Sequence, residues 1–201
     1  MKNKFLVFIS IAAIIAAVIF FIYSIIQLLG LGLSVGRIPK TLPNNIIQII
    51  NFIALNFKKI ISTLLIINLI LTSIIYIGFI YLSKKTNSRS IKIASYVMLI
   101  SNFLVFLLTL LIYNQSEIIS IFNLKLNILD GTFGIINILF GILLITWKNK
   151  KSYLTKSIGI LYILQGIVLI TTFLTPLRLA EFTIAIRVLE AVFFSSYIKE
   201  L

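Results

Sequence analysis

The sequence predicts an all-α fold: a polytopic integral membrane bundle of six transmembrane helices, with one or two short interfacial helices on the outer side. Three observations carry that expectation. Of 201 residues, 60% are hydrophobic and 11% charged, against roughly 25% charged in an ordinary soluble domain. Uncharged runs reach or approach the ~18 residues that read as a membrane-spanning helix. They are Phe5 to Gly36, Ile60 to Ser83, Ile93 to Ser116, Gly131 to Trp147 and Ser157 to Leu177. The basic residues stand at the ends of these runs rather than along one polar helix face. That placement fits topology signals and contacts to anionic headgroups, so the net charge of +13 is not read as a nucleic-acid surface.

The first span, about 5–29, follows Lys2 and Lys4. Its apolar stretch exceeds the 7–15 residues of a secretory signal core, so a retained transmembrane helix is expected. Within it Ala12 and Ala16, and Ala13 and Ala17, form two overlapping small-xxx-small pairs, which let another helix approach closely. In the connection that follows, Gly30, Gly32 and Gly36 loosen the chain, and Pro39 and Pro43 exclude a continuous helix through Lys40. Helical spacing returns over 44–57, a stretch too short to span, which reads as an interfacial helix on the outer leaflet.

The next spans are expected at about 60–83, 93–114, 127–147, 156–177 and 179–197, the fourth borrowing Asn127 to Leu129 for length. Between the third and fourth, Ile118 to Leu129 reads as a second interfacial piece. Asn114-Gln115-Ser116 forms a glycosylation sequon there, although chance occurrence in an Asn-rich chain is the simpler explanation. Asp130 reads as the start of the fourth helix, its carboxylate at the positive end of the dipole. Gly134 with Gly141, and Gly159 with Gly166, repeat at seven-residue spacing and mark packing seams. Trp147 and Tyr153 flank a basic turn as interface anchors. A faint echo relates Ile66-Ile67-Asn68 to Ile135-Ile136-Asn137, each leading to a basic turn. An inverted three-plus-three repeat is compatible with six helices.

With the N-terminus inside, eleven Lys and Arg fall on the cytoplasmic side and six outside, Arg187 lying within a helix. The positive-inside rule therefore places both termini in the cytoplasm, with the chain multi-pass in the cell membrane. The 44 Ile against 33 Leu, and 14 Lys against 4 Arg, point to an AT-rich, prokaryotic and archaeal source.

The last span is the least hydrophobic. Arg187 and Glu190 fall near its centre, where an isolated charge costs at least about 2.5 kcal/mol, and Arg178 and Glu181 repeat the i, i+3 spacing nearer the outer surface. The two pairs lie on roughly opposite faces, so the helix needs enclosure by other helices or by a partner subunit. One reading makes Glu181, Arg187 and Glu190 line a polar path or bind an ion or headgroup. The other has each pair neutralise itself and lock packing, which the matched spacing favours. Gln27, Asn68, Asn102, Thr109, Asn137 and Gln165 are the neutral polar residues within spans. Each is expected to hydrogen-bond a neighbouring helix, a contact worth about 0.6–2 kcal/mol.

No Cys or His is present and only five acidic residues. Thiolate and imidazole metal sites, Ser-His-Asp hydrolysis and histidine-ligated haem are excluded from this chain alone. No carboxylate dyad, Mg²⁺-binding cluster or phosphate loop stands out, so no catalytic residue, cofactor or metal is expected. The first functional expectation is a non-catalytic subunit of a larger membrane complex, serving assembly or scaffolding, with other membrane subunits or a second copy as partners. The alternative is a small-solute transporter component. Six helices, the long outer first connection and the Ala-xxx-Ala pairs resemble the substrate-binding subunits of energy-coupling-factor vitamin transporters. That resemblance covers topology and one generic motif, and it implies a polar outward pocket beneath the first loop. A lipid-modifying enzyme has the least support, given the missing acidic clusters and histidine.

Overall fold

The computed structural model describes residues 2–34, 44–114, 119–171 and 176–198. Among them every regular element is an α-helix: α1 Lys2–Ser34, α2 Asn44–Lys85, α3 Arg89–Asn114, α4 Ile119–Thr146, α5 Ser152–Thr171 and α6 Pro176–Ile198. Among the described residues four stretches are long and apolar enough to cross a membrane, namely Lys4–Ile26, Leu55–Lys85, Arg89–Leu108 and Ser152–Thr171, while the apolar stretch Gly131–Thr146 is shorter.

Three boundaries differ from the sequence expectation. Gly30 and Gly32 do not loosen the chain, since α1 continues through both to Ser34, a single glycine costing a helix only about 1 kcal/mol. The stretch 44–57 is not a separate interfacial helix, because α2 runs unbroken for 42 residues, a rod of about 63 Å. No proline stands between Asn44 and Lys85, Lys58 and Lys59 are good helix formers, and a change of polarity along a helix is not a break. Likewise the expected second interfacial piece does not form its own element over its described residues 119–129, since α4 starts at Ile119 and continues through Asp130 into the fourth apolar run. Asp130 is therefore inside a helix rather than at its start.

Two short turns have clear local causes. After α2, Asn87 takes a positive φ of 52°, a conformation that Asn tolerates better than most residues. It lets the Ser88 amide donate back to the Ser83 carbonyl at 2.9 Å, the closing bond of a left-handed helix cap. After α4, the Asn149 carboxamide takes over the backbone's role, accepting from the Lys151 amide at 2.8 Å and donating to Thr155 Oγ1 at 3.1 Å.

Each helix packs against its neighbour in chain order, and α6 closes onto α1, so the six form a ring. The α4–α5 seam is glycine against glycine. A Cβ on Gly141 would sit 2.5 Å from the Gly159 carbonyl oxygen and the reverse holds equally, with Gly134 and Gly166 opposed in the same way one heptad on. The sequence-marked glycines thus pair with each other within one chain. Ala12, Ala13, Ala16 and Ala17 are all buried on α1, and Ser10 Oγ donates to the Ala191 carbonyl of α6 at 2.9 Å. Ile9 and Phe194 meet over Gly78 of α2.

One end of the ring is filled by aromatic rings. Phe79 contacts Phe140, Phe193 and Phe194 with centroids 5.7, 5.7 and 5.1 Å away, and Phe140 meets Tyr162 edge-on at 5.1 Å. The basic segments gather at this end. Phe5 packs on Tyr81, Trp147 Nε1 donates to Thr86 Oγ1 at 3.1 Å, and Tyr197 Oη lies 3.3 Å from Asn149 Oδ1. Large apolar side chains are exposed on every helix, Phe8, Ile70, Phe103, Leu139, Ile160 and Val188 among them, while Gln48, Asn51 and Lys59 are exposed in the first part of α2 and Glu181 near the start of α6.

The α4–α5 seam sets a sharp test. Gly141→Ala would place a methyl against a backbone oxygen, so it is expected to destabilise the protein by about 1–3 kcal/mol despite alanine's higher helix propensity. Gly131→Ala, where nothing lies within 4 Å, is expected to be neutral or stabilising. Thermal unfolding in detergent reads both, and equal behaviour of the two variants would contradict the seam.

Candidate polar cavity

Beyond the aromatic plug, in the half of the ring away from the basic turns, the helices enclose a cavity of about 220 Å³. Asn68, Thr72 and Tyr76 come to it from α2, Asn102 from α3, Asn137 from α4, Tyr162 and Gln165 from α5, and Thr183 and Arg187 from α6. Phe20, Phe106 and Phe133 supply apolar wall. Residues far apart in the sequence converge because each is the polar exception on the inward face of an otherwise apolar helix. A helix that turns its apolar side outward leaves such side chains no other place to go.

Arg187 and Glu190 sit between cavity and plug. Arg187 Nη1 lies 2.6 Å from Glu190 Oε2, both side chains being nearly inaccessible. The other carboxylate oxygen accepts from the Tyr162 hydroxyl at 2.8 Å, and the guanidinium stands 5.9 Å from the centroid of the Tyr76 ring, a cation–π distance. The expected meeting of the two charges on one helical face is therefore what the fold contains. Enclosure comes from α1, α2 and α5 of the same chain.

A polar chain crosses the cavity wall. Gln165 Nε2 donates to Thr183 Oγ1 at 2.7 Å, Asn137 Nδ2 to Gln165 Oε1 at 3.5 Å, and Thr72 Oγ1 to Asn68 Oδ1 at 3.5 Å. Helix-to-helix bonding of the neutral polar residues thus holds for Asn137 and Gln165, whereas Asn68 bonds within its own helix. Three buried atoms on the cavity-lining residues have no hydrogen-bond partner: Arg187 Nε, Asn102 Nδ2 and Asn137 Oδ1. A buried polar atom left unpaired costs about 1–3 kcal/mol, so these two donors and one acceptor are a cost that the rest of the fold offsets.

Comparison with protein families, curated proteins and solved structures finds no match. The chemistry of the cavity therefore rests on its own geometry.

Of the other sequence candidates, Glu181 is exposed on α6. The side chains of Arg178, Gln27, Thr109 and Asn114 lie outside the described residues, as do Gln115 and Ser116 of the sequon. Sequence reasoning missed Tyr76 and Tyr162. Both stand deep inside apolar runs rather than at the ends where tyrosines anchor to an interface, and that displacement was the available signal. Among the described residues no three acidic side chains come together.

Removing Arg187 alone strands a buried carboxylate, so Arg187→Leu is expected to cost about 3–5 kcal/mol, while the double variant Arg187→Leu with Glu190→Leu recovers most of it. Tyr162→Phe removes one bond to a charged oxygen and is expected to cost about 1.5–3 kcal/mol. Unfolding in a common detergent measures all three. A double variant as unstable as the single would show that the pair is not one unit.

Proposed function

We propose that the chain crosses the cell membrane six times with both termini in the cytoplasm, and that it binds a small, uncharged polar solute between its helices as the binding component of a transporter. The observation that carries this reading is the set of unpartnered polar atoms on Arg187, Asn102 and Asn137 at a cavity inside a ring whose outer surface is largely apolar. A soluble protein has the opposite arrangement, and an apolar exterior of this extent suits hydrocarbon. Under the positive-inside orientation the basic turns face the cytoplasm. The cavity then lies in the outer half of the bilayer, where the resemblance to solute-binding subunits calls for a pocket.

The chemistry of the guest follows from the lining. Glu190 neutralises Arg187, so the site carries no net charge to attract an ion. Arg187 Nε and Asn102 Nδ2 ask for acceptors, Asn137 Oδ1 asks for a donor, and the aromatic walls favour a flat molecule. The volume, about 220 Å³, equals roughly seven waters. A compact heteroaromatic or lactam bearing a carbonyl and an N–H fits these terms. The aromatic plug beneath makes the cavity a blind site, which suits capture better than open conduction. A non-catalytic scaffold subunit is the second reading, favoured by α3, whose outward face is the least enclosed of the four candidate spans at 17% buried.

Thermal-shift titration of the detergent-purified protein tests the proposal with a panel of neutral heteroaromatic amides and lactams beside carboxylate and ammonium analogues. Neutral members are expected to stabilise the protein, and Asn102→Ala and Asn137→Ala to weaken binding about fivefold each. Preference for the charged analogues, or unchanged affinity in both variants, would overturn it.

A further inference from the structure

The cavity does not account for a second hollow at the opposite, basic end. Between the α2–α3 and α4–α5 turns lies a polar pocket of about 230 Å³, with Thr86, Ser88, Ser90, Thr146 and Lys148 on its walls. It continues into an apolar groove of about 300 Å³ between α3 and α4, and Ser90 and Leu143 line both. The groove follows α3 from Ser90 to Met98, about 12 Å along the helix, and Ala94, Val97, Ile136 and Leu139 form its sides.

Chemistry changes along this hollow in the order that a phospholipid does. At the head, the Lys148 ammonium and four hydroxyl-bearing side chains surround the pocket. Lys84, Lys85, Arg89 and Lys150 are exposed in the same two turns, and no acidic residue interrupts residues 83–93 or 146–157. Trp147, buried and bonded to Thr86, fixes one turn to the other and so holds the pocket's shape. Below it the walls are hydrocarbon. A wholly apolar partner such as a helix would leave the lysine and hydroxyls unused, and a free anion would leave the groove unused.

We infer that this hollow is a binding site for one anionic phospholipid, its phosphate against Lys148 and the hydroxyls of Ser88 and Ser90, one acyl chain along the α3–α4 groove. The site rests on the membrane placement proposed above and is independent of the solute in the cavity. A lipid seated there would complete the least enclosed helix and couple the α2–α3 and α4–α5 turns.

The experiment is native mass spectrometry and thermal shift of the delipidated full chain in mild detergent, titrated with phosphatidylglycerol, phosphatidylcholine or inorganic phosphate. One phosphatidylglycerol is expected to remain bound and to raise the melting temperature, with phosphatidylcholine and phosphate doing neither. Lys148→Gln is expected to weaken phosphatidylglycerol about fivefold, as one basic contact would. Ala94→Phe, which fills the groove without touching the lysine, is expected to abolish retention. Equal binding of the two lipids, a response to phosphate alone, or wild-type retention by both variants would overturn the site. Carbonate washing of membranes separates the underlying premise: a chain released by the wash overturns the membrane placement together with the site, and a retained chain that fails the lipid test overturns the site only.

Discussion

The ion pair of Arg187 and Glu190 is the constraint around which the rest is arranged. At 2.6 Å and almost without solvent contact, neither charge is tolerable alone, and the pair is tolerable only because more polar atoms complete it. Tyr162 supplies a hydroxyl from α5 and Tyr76 a ring face from α2. These requirements tie three helices to one point. The pair also sits at the boundary between the two halves of the ring, one filled by aromatic rings that meet mostly edge to face and the other left open and polar.

From that boundary the polarity of the molecule follows. Each helix has one set of side chains that can satisfy another polar group and another set that cannot. The ring turns the first set inward and leaves Phe8, Ile70, Phe103, Leu139, Ile160 and Val188 outward. Under the proposed membrane placement apolar surface gains little by packing against apolar surface, and close approach comes from small residues. The glycine-on-glycine contact of α4 with α5 and the alanine face of α1 provide it. Between α3 and α4, which have no such glycine-on-glycine contact, a groove is left.

Much of this was legible in the sequence. Run length gave helices, the i, i+3 spacing gave the Arg187–Glu190 contact, and seven-residue glycine spacing gave the seam, since each is a local periodicity. Two kinds of information were not local. Helix continuity through Lys58 and Lys59 depends on the absence of a breaker rather than on the change in polarity that suggested a boundary. Convergence of Asn68, Asn102, Asn137 and Gln165 on one cavity depends on how each helix is rotated in the ring, and single-helix patterns do not fix rotation between helices. Tyr76 and Tyr162 were hidden for a related reason, because a tyrosine among isoleucines looks like core until its hydroxyl partner is known.

The central claim is that the ring is polar within and largely apolar without and that, under the proposed placement, its cavity is reached by water from one side of the membrane. Because the chain has no cysteine, single substitutions read this without background. Asn68→Cys, half-buried at the cavity, and Ile70→Cys, two residues away on the exposed face of the same helix, would each be treated in intact cells with a small, membrane-impermeant thiol reagent, which needs the thiolate and therefore water. Labelling of position 68 and not 70 is the expected result. Labelling of 70 with 68 protected would mean that the apolar face meets water and the cavity does not, and the account would be wrong.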